Sequence, residues 1–594
     1  MFVQAKGNGL HVKAHRGDAK SLLAFNLTKA RTRNLAGFTV AYVVGAQTHY
    51  VSNMLTFANP ADHSQDPAHA ANSSVNAPLH KFRWVHVPGA GSLGEKPAFG
   101  PYTYVVTPRY FADGALLPLD PSTSVSVDIE VAPFRKGAIT AAFTRGFTQS
   151  EAFVHRFGEV AIFRPPNTDL VFDTSATSGT AANGAAYTFA QEYTWLGFTA
   201  RDVILGLLSE IRYDATLQLD VFAYDLSEPD IVSALLALGA DGRVRMILDD
   251  AALHHSTKPG TVLPEDQFET LFRAAAKAPA EIKRGHFARY SHDKVMIVYR
   301  TGAGGARRPI KVLTGSTNFS VTGLYVNSNH VLVFDDTTVA AAYARVFQNS
   351  WDGEVKAPAF RATPEAGQAT TFASAQVPHT DVTFSPHSAA FAAEILDGIT
   401  ARITAEAGRP KGSVLFAVMG IDVGGGSVYP TLRDLHADTS LFTYGISDAP
   451  DGIYVYNPRH KTGVLVTGKP GRTRLPAPFD QVPTPANHQV HHKFVVCGFN
   501  GSDPVVYCGS SNLALGGEQD NGDNLLAIHD GDIATVFAIE AVLLVDHFDF
   551  LDRNLAPAAT SPATATWHLS ITSAWVTPYY DKADLHYADR LLFA

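Results

Sequence analysis

The sequence predicts an α/β body of two duplicated halves forming one pseudo-twofold unit, preceded by an all-β sandwich of immunoglobulin type. Three observations predict it. Short apolar segments separated by Pro, Gly, Asn and Ser clusters fill the chain from about residue 20 to 165. From Trp195 onward, strand-like and helix-like segments alternate. A hairpin pattern then occurs twice, in Ser291–Asn318 (SHDKVMIVYRTGAGGARRPIKVLTGSTN) and in Val490–Asn512 (VHHKFVVCGFNGSDPVVYCGSSN).

In chain order, Ser21–Leu27, Gly37–Val44, Lys81–Val87, Tyr102–Phe111 and Ser122–Ala132 read as strands of a β-sandwich accessory domain over 1–165. A Thr/Ala/Ser/Gly-rich connector follows over 166–199. The first α/β half is 200–355: Thr199–Ile211 has helical spacing, Leu217–Ala223 is a strand, Glu228–Leu238 a helix and Arg243–Leu248 a strand. This alternation implies a largely parallel sheet. Beyond the first hairpin, His330–Phe334 is a strand and Val339–Trp351 a helix. After a linker over 356–385 the order repeats in 386–555, with a helix Ala389–Ala405, a strand Ser413–Val418 and a helix Val428–Leu435. The second hairpin, a strand Asn524–Ile528 and a helix Ile533–Phe548 complete that half. Residues 556–594 are expected to pack back on the body.

Successive side chains of a strand face opposite ways, so residues two apart share a face. His292 and Lys294 are such a pair, and so are His491 and Lys493. Each returning strand ends in Gly-Ser-x-Asn, which brings Ser316 and Asn318, or Ser510 and Asn512, near its own pair. Two such hairpins facing each other make an anion site containing two imidazoles and two ammonium groups.

The order of these residues resembles the duplicated His-x-Lys…Gly-Ser-x-Asn signature of the phospholipase D superfamily over roughly Ala200–Asp552. The Asp that usually stands five residues after the Lys is replaced by Tyr299 and Gly498; the tyrosyl-DNA phosphodiesterases of that superfamily lack it too. The resemblance implies a phosphodiesterase that needs no metal or cofactor. One neutral imidazole attacks phosphorus to give a covalent phosphohistidine. The other protonates the leaving oxygen and then activates water or an acceptor alcohol. Lys294, Lys493, Asn318 and Asn512 would hold the non-bridging oxygens, and Ser316 and Ser510 would support them.

An attacking imidazole gains from a carboxylate that fixes its tautomer. The second copy offers Asp523, with Asp520 and Glu518 as rivals, whereas the first offers the amide Asn329. A carboxylate in the second copy favours His491 as nucleophile; the resemblance favours His292. The expectation is His292 as nucleophile and His491 as acid/base. Phospholipid head-group hydrolysis, with transfer to an alcohol as a side reaction, is the expected activity. A nucleic-acid phosphodiesterase and a non-catalytic anion- or lipid-binding protein are the alternatives.

Composition narrows these choices. The 594 residues carry a net charge of −9 with neutral histidine, the wrong sign for a general nucleic-acid coat. Contact with a membrane surface remains compatible, but no apolar run is long enough to span one. The start lacks an ordinary signal peptide, so a soluble protein, cytoplasmic or exported by another route, is expected. The histidine-rich run His488, His491 and His492 suggests zinc, but alternation turns His492 away from His491 and no ligand set is completed. Cys497 and Cys508 count onto one face of the second hairpin, close enough for a cross-strand disulfide, although two buried thiols are the simpler reading.

Overall fold

A computed structural model describes the chain except residues 90–98, 147–150, 159–160, 167–168, 182, 421–424, 436–440, 449–452, 456–463, 467–489 and 556–567. His488 falls outside the described residues. Two α/β sheets form the body. In the first, β1 (Leu217–Ala223), β2 (Val244–Leu248), β3 (Lys294–Thr301), β4 (Arg307–Gly315) and β5 (His330–Phe334) run in the order β5-β4-β3-β1-β2. In the second, β6 (Ser413–Val418), β7 (Phe442–Ser447), β8 (Lys493–Cys497), β9 (Val505–Gly509) and β10 (Asn521–Ile528) run β10-β9-β8-β6-β7, the same order.

The sheets are mixed, not largely parallel as the alternation implied. Among the described residues, parallel pairing within them is confined to β1–β2, β2 with Glu281–Arg284, β6–β7 and the short Tyr290–Ser291 with β10. The pairs made by the hairpins are antiparallel. The physical reason is local: a strand followed by a short glycine turn must return antiparallel, and only a helical crossover permits the parallel pairing.

Helices α1 (Phe189–Tyr213), α2 (Pro229–Ala240), α3 (Thr337–Asp352), α4 (Ala389–Ala405) and α5 (Gly531–Leu555) cover the sheets. α1 starts ahead of the Thr199 its spacing suggested, because Thr188 and Gln191 form a capping box. It bends at Phe198, whose φ of 44° breaks the helical periodicity. α3 and α5 share one apolar core with both sheets: Tyr343 and Phe347 of α3, Phe537 and Val542 of α5, Ile297 and Leu332 of one sheet, Phe494 and Val496 of the other. Full burial of each such side chain contributes roughly 1.5–3 kcal/mol, so this core ties the two sheets into one unit.

The N-terminal residues are β-rich. Phe2–Gly7, Leu10–Arg16, Ser21–Leu27 and Arg83–His86 make a four-stranded sheet, the first two being strands the sequence reading missed. Leu35–Val44, Gly100–Ala112 and Val125–Val131 belong to a second sheet. Val125–Val131 alternates buried and exposed residues along its whole length, as a half-buried strand does. Val12, Phe25, Phe38 and Tyr104 share the core of these sheets with Val576 and Tyr579 near the C-terminus. Ile139–Phe143, read as part of the all-β region, instead pairs antiparallel with β5 and extends the first α/β sheet.

Cys497 and Cys508 are both free and buried. Cys497 stands opposite Val505, which puts Cys508 on the other face of β9. The two thiols join different cores, so counting by twos without the register misplaced them.

Candidate active site

The two hairpins bring their motif residues to one end of both sheets. The residues just before each histidine cross to the opposite sheet: Tyr290–Ser291 pairs parallel with Asn521–Gly522, and Ser328 bridges Val490. Each histidine is therefore held by the other half. His292 Nδ1 lies 2.7 Å from Asp523 Oδ1, and His491 Nδ1 lies 2.8 Å from Asn329 Oδ1. This corrects the expectation that the second-copy carboxylate orients the second-copy histidine. The rivals point elsewhere: Glu518 binds the Ser511 hydroxyl and Asp520 sits 3.5 Å from Arg361.

The supporting residues repeat with the same symmetry. The Ser316 hydroxyl donates to Asn329 Oδ1 at 2.8 Å and accepts the His330 N–H at 3.0 Å. Ser510 accepts the Asn524 N–H at 3.0 Å and hydrogen-bonds Asp523. Asn329 Nδ2 donates to the Gly323 carbonyl at 2.8 Å, which fixes its amide with the oxygen towards His491. Lys294 donates to the His292 carbonyl. Lys493 donates to the His491 carbonyl at 2.9 Å, with its ammonium 3.2 Å from the ring Nε2.

The cleft above these residues measures about 790 Å³ and is lined by both histidines and by Asn318 and Asn512. The side-chain oxygens of both asparagines are buried there without a partner among the described residues. Burial, then Lys294 and Lys493, hold the His292 imidazole well below its usual pKa. Its Nδ1–H thus donates to Asp523, and Nε2 keeps its lone pair towards the cleft. Burial pushes Asp523 up to about 7, and Lys294 opposes that rise. Lys294 is brought down to about 8 by burial, against the pull of Asp523 and Asp225. Burial, and secondly Lys294, also lower Lys493 well below the ordinary lysine value.

The sequence reading missed a cluster on the first-half wall. Tyr224 sits edge-on to His292 at 4.6 Å, with the Lys294 ammonium 4.6 Å from its ring centre. Asp225 accepts from Asn318 Nδ2 at 2.5 Å and lies 2.6 Å from His254 Nε2, whose Nδ1 is 2.9 Å from Asp249. Those two carboxylates, opposing burial, raise His254 to about 9, so it is an imidazolium that offsets Asp225 beside the anion site. The only local signal was position: Tyr224 and Asp225 directly follow β1, where its C-terminal end opens into the cleft. Asp225, His254 and Glu265 are close enough to hold a cation, as are His379, Asp381 and His529 outside the cleft. With both ring nitrogens already engaged by carboxylates, His254 would have to lose a proton and a partner to bind one.

The basic residues around the turn of the first hairpin, Arg300, Arg307, Arg308 and Lys311, do not line the cleft. Arg307 pairs with Asp220 at 2.7 Å and Lys311 with Glu210 at 2.8 Å, towards the end of the hairpin opposite His292.

Residues 208–351 match a family model described as "Cardiolipin synthase, PLD-like domain". Residues 208–351 thus carry a PLD-like domain of the phospholipase D superfamily. The chain is 30% identical over 138 residues to the mitochondrial cardiolipin hydrolase of Xenopus laevis, covering 23% of this chain and 55% of that protein. The chain thus spans about half the length of the curated relatives it matches. Among solved structures, a polyphosphate kinase from Porphyromonas gingivalis is similar at 16% identity and a TM-score of 0.35, over 56% of this chain and 46% of that one. Yeast tyrosyl-DNA phosphodiesterase is similar at 10% identity and a TM-score of 0.28, over 54% and 86% respectively.

Proposed function

We propose that the protein is a phosphodiesterase that cleaves phospholipid head groups through a phosphohistidine on His292. The observation that carries the chemistry is the crossed pairing of His292 with Asp523 and of His491 with Asn329. His292 Nε2 attacks phosphorus while Asp523 stabilises the cation formed on the ring. His491 donates a proton to the leaving oxygen, then takes one from the water or alcohol that resolves the intermediate. Lys294, Lys493, Asn318 and Asn512 stabilise the charge on the non-bridging oxygens. The proposed unit is duplicated, the matching strand orders and repeated motifs being its support, and the N-terminal sheets are read as a sandwich that braces it.

A lipid substrate is favoured by the mouth of the cleft. Leu253, on the lining, is 61% exposed and Val262, two residues before the lining Pro264, is 69% exposed; apolar side chains so displayed suit a bilayer surface. The curated relatives are named for hydrolysis of a phospholipid. A nucleic-acid substrate has one observation in its favour: Arg289 over the Tyr290 ring at 4.9 Å, both on the lining, is a surface on which a base stacks.

The test is turnover with EDTA present, on vesicles of cardiolipin and phosphatidylcholine and on single-stranded DNA in parallel. Release of a phospholipid head group or phosphatidic acid, lost in His292→Ala and His491→Ala, is expected. Nucleotide release alone would replace the lipid reading, and no turnover of either class would remove both.

A further inference from the structure

The end of β10 far from Asp523 carries a cluster that the cleft does not use. There β10 pairs antiparallel with the strand Thr380–Ser385, Thr380 standing opposite Ile528. That register sets His379 opposite His529, and the His529 N–H donates to the His379 carbonyl at 2.9 Å. Residues opposite each other share a face, and so do residues two apart on one strand. His379, Asp381 and His529 therefore project from the same side. The two imidazole rings stand edge to face at 5.1 Å, and His379 Nε2 lies 3.2 Å from Asp381 Oδ2. One donor atom from each of the three residues lies within 4.8 Å of the other two.

Donors around a tetrahedral zinc ion stand roughly 3.3 Å apart, given bonds of about 2.0–2.1 Å. The His379–Asp381 pair already has that separation. The His529 ring, 35% exposed, is free to rotate onto it. Outer contacts of the kind that orient metal ligands are also in place. The Thr371 hydroxyl, opposite Asp381 on the next strand, donates to Asp381 Oδ1 at 2.5 Å and leaves Oδ2 for an ion. Asp503, in the turn between β8 and β9, stands 3.7 Å from His529 Nδ1, close enough to orient that ring. Neighbouring cations are matched: Arg409 meets Asp503 at 3.0 Å, and Lys136 meets Asp530 at 2.6 Å and Asp532 at 2.8 Å. Two imidazoles with one carboxylate suit zinc and its first-row neighbours, whereas calcium and magnesium prefer oxygen ligands.

We propose that His379, Asp381 and His529 bind a divalent transition-metal ion of the zinc class. One imidazole nitrogen from each histidine and Oδ2 of Asp381 are the protein ligands, and water takes the solvent-facing fourth place. The proposal does not rest on the catalytic reading. His529 lies six residues beyond Asp523 along the chain, roughly 20 Å at about 3.3 Å per residue, so the ion takes no part in the chemistry of the cleft. By bridging two adjacent strands it stabilises that side of the second sheet.

Isothermal titration of the metal-stripped full chain, carrying no affinity tag, with zinc chloride tests it. Saturable binding of one ion that excess magnesium does not displace is expected, and cobalt(II) in its place should give the strong visible bands of a four-coordinate ion. His379→Ala, His529→Ala and Asp381→Asn should each weaken zinc binding by about 100-fold or more. Thr371→Val keeps every ligand and loses one outer contact, so a loss of about tenfold is expected; it serves as the readout if a ligand variant does not fold. Zinc binding in His254→Ala, altered at the cluster on the cleft wall, should equal wild type. Three results would each overturn the proposal: no saturable zinc binding, displacement of zinc by magnesium, or zinc binding lost in His254→Ala and kept in His379→Ala and His529→Ala.

Discussion

The two half-sites occupy matching places at the ends of matching strands, yet their buried partners differ in charge. In the first, His292 faces the carboxylate Asp523; in the second, His491 faces the amide Asn329. The asymmetry continues one residue on. Asp293 accepts from Asn524 Nδ2 at 2.8 Å, whereas the corresponding His492 lies 3.3 Å from His330, Nδ1 to Nδ1, with rings stacked at 5.6 Å. An imidazole that becomes a covalent cation gains most from a full negative charge beside it. One that must give its proton away is better served by a neutral acceptor. In the proposed reaction, two like hairpins would give identical side chains different roles through partners that cross from one sheet to the other.

The comparison is broken most severely by removing either imidazole. His292→Ala and His491→Ala should each lower kcat by on the order of 10⁵-fold, but differently: the first forms no covalent intermediate. Next, Asp523→Asn should lower kcat by about 10²- to 10⁴-fold, against roughly tenfold for Asn329→Ala, whose oxygen meets a ring that needs less stabilisation. Equal losses in steady-state assays of the two would erase the asymmetry. Lys294→Met removes a donor to the developing charge and should cost about 10²- to 10³-fold in kcat with little change in KM.

The pH profile sharpens the same contrast. Asp523 is ionised above about 7, and that charge is lost as pH falls; Lys294 is charged below about 8, and that charge is lost as pH rises. Activity should therefore follow a bell centred between these values, and Asp523→Asn should lose the acid limb. The smallest effect is on stability. Burial, then Asp523, raise Asp293 to about 7 in the folded protein, above its unfolded value. The folded state therefore binds more protons between these values, and the contribution of Asp293 to stability falls as pH rises through that window. Asp293→Asn should remove this dependence, and denaturant melts should show it gaining about 1–3 kcal/mol on wild type between pH 4 and 8.

What the sequence made legible were local features. Leu217–Ala223, His330–Phe334, Ala389–Ala405 and Ser413–Val418 have the bounds that their periodicity predicts, and the motif histidines and asparagines line one cleft. Pairing between the halves was not legible. Asp523 follows His491 closely in sequence, but the parallel pairing of Tyr290–Ser291 with Asn521–Gly522 delivers it to His292. No single-chain pattern encodes that register. The same holds for Ile139–Phe143, whose apolar run suits a sandwich strand and an α/β edge equally, and for Tyr224, Asp225 and His254, which meet only once β1 and the loop after β2 are packed.

The claim on which the rest depends is that Asp523 makes His292 the nucleophile. Acid quench during turnover, followed by peptide mapping of the phosphorus adduct, tests it most directly. The account predicts an adduct on the peptide carrying His292, present in wild type and in His491→Ala and missing from His292→Ala. An adduct on the His491 peptide would contradict it.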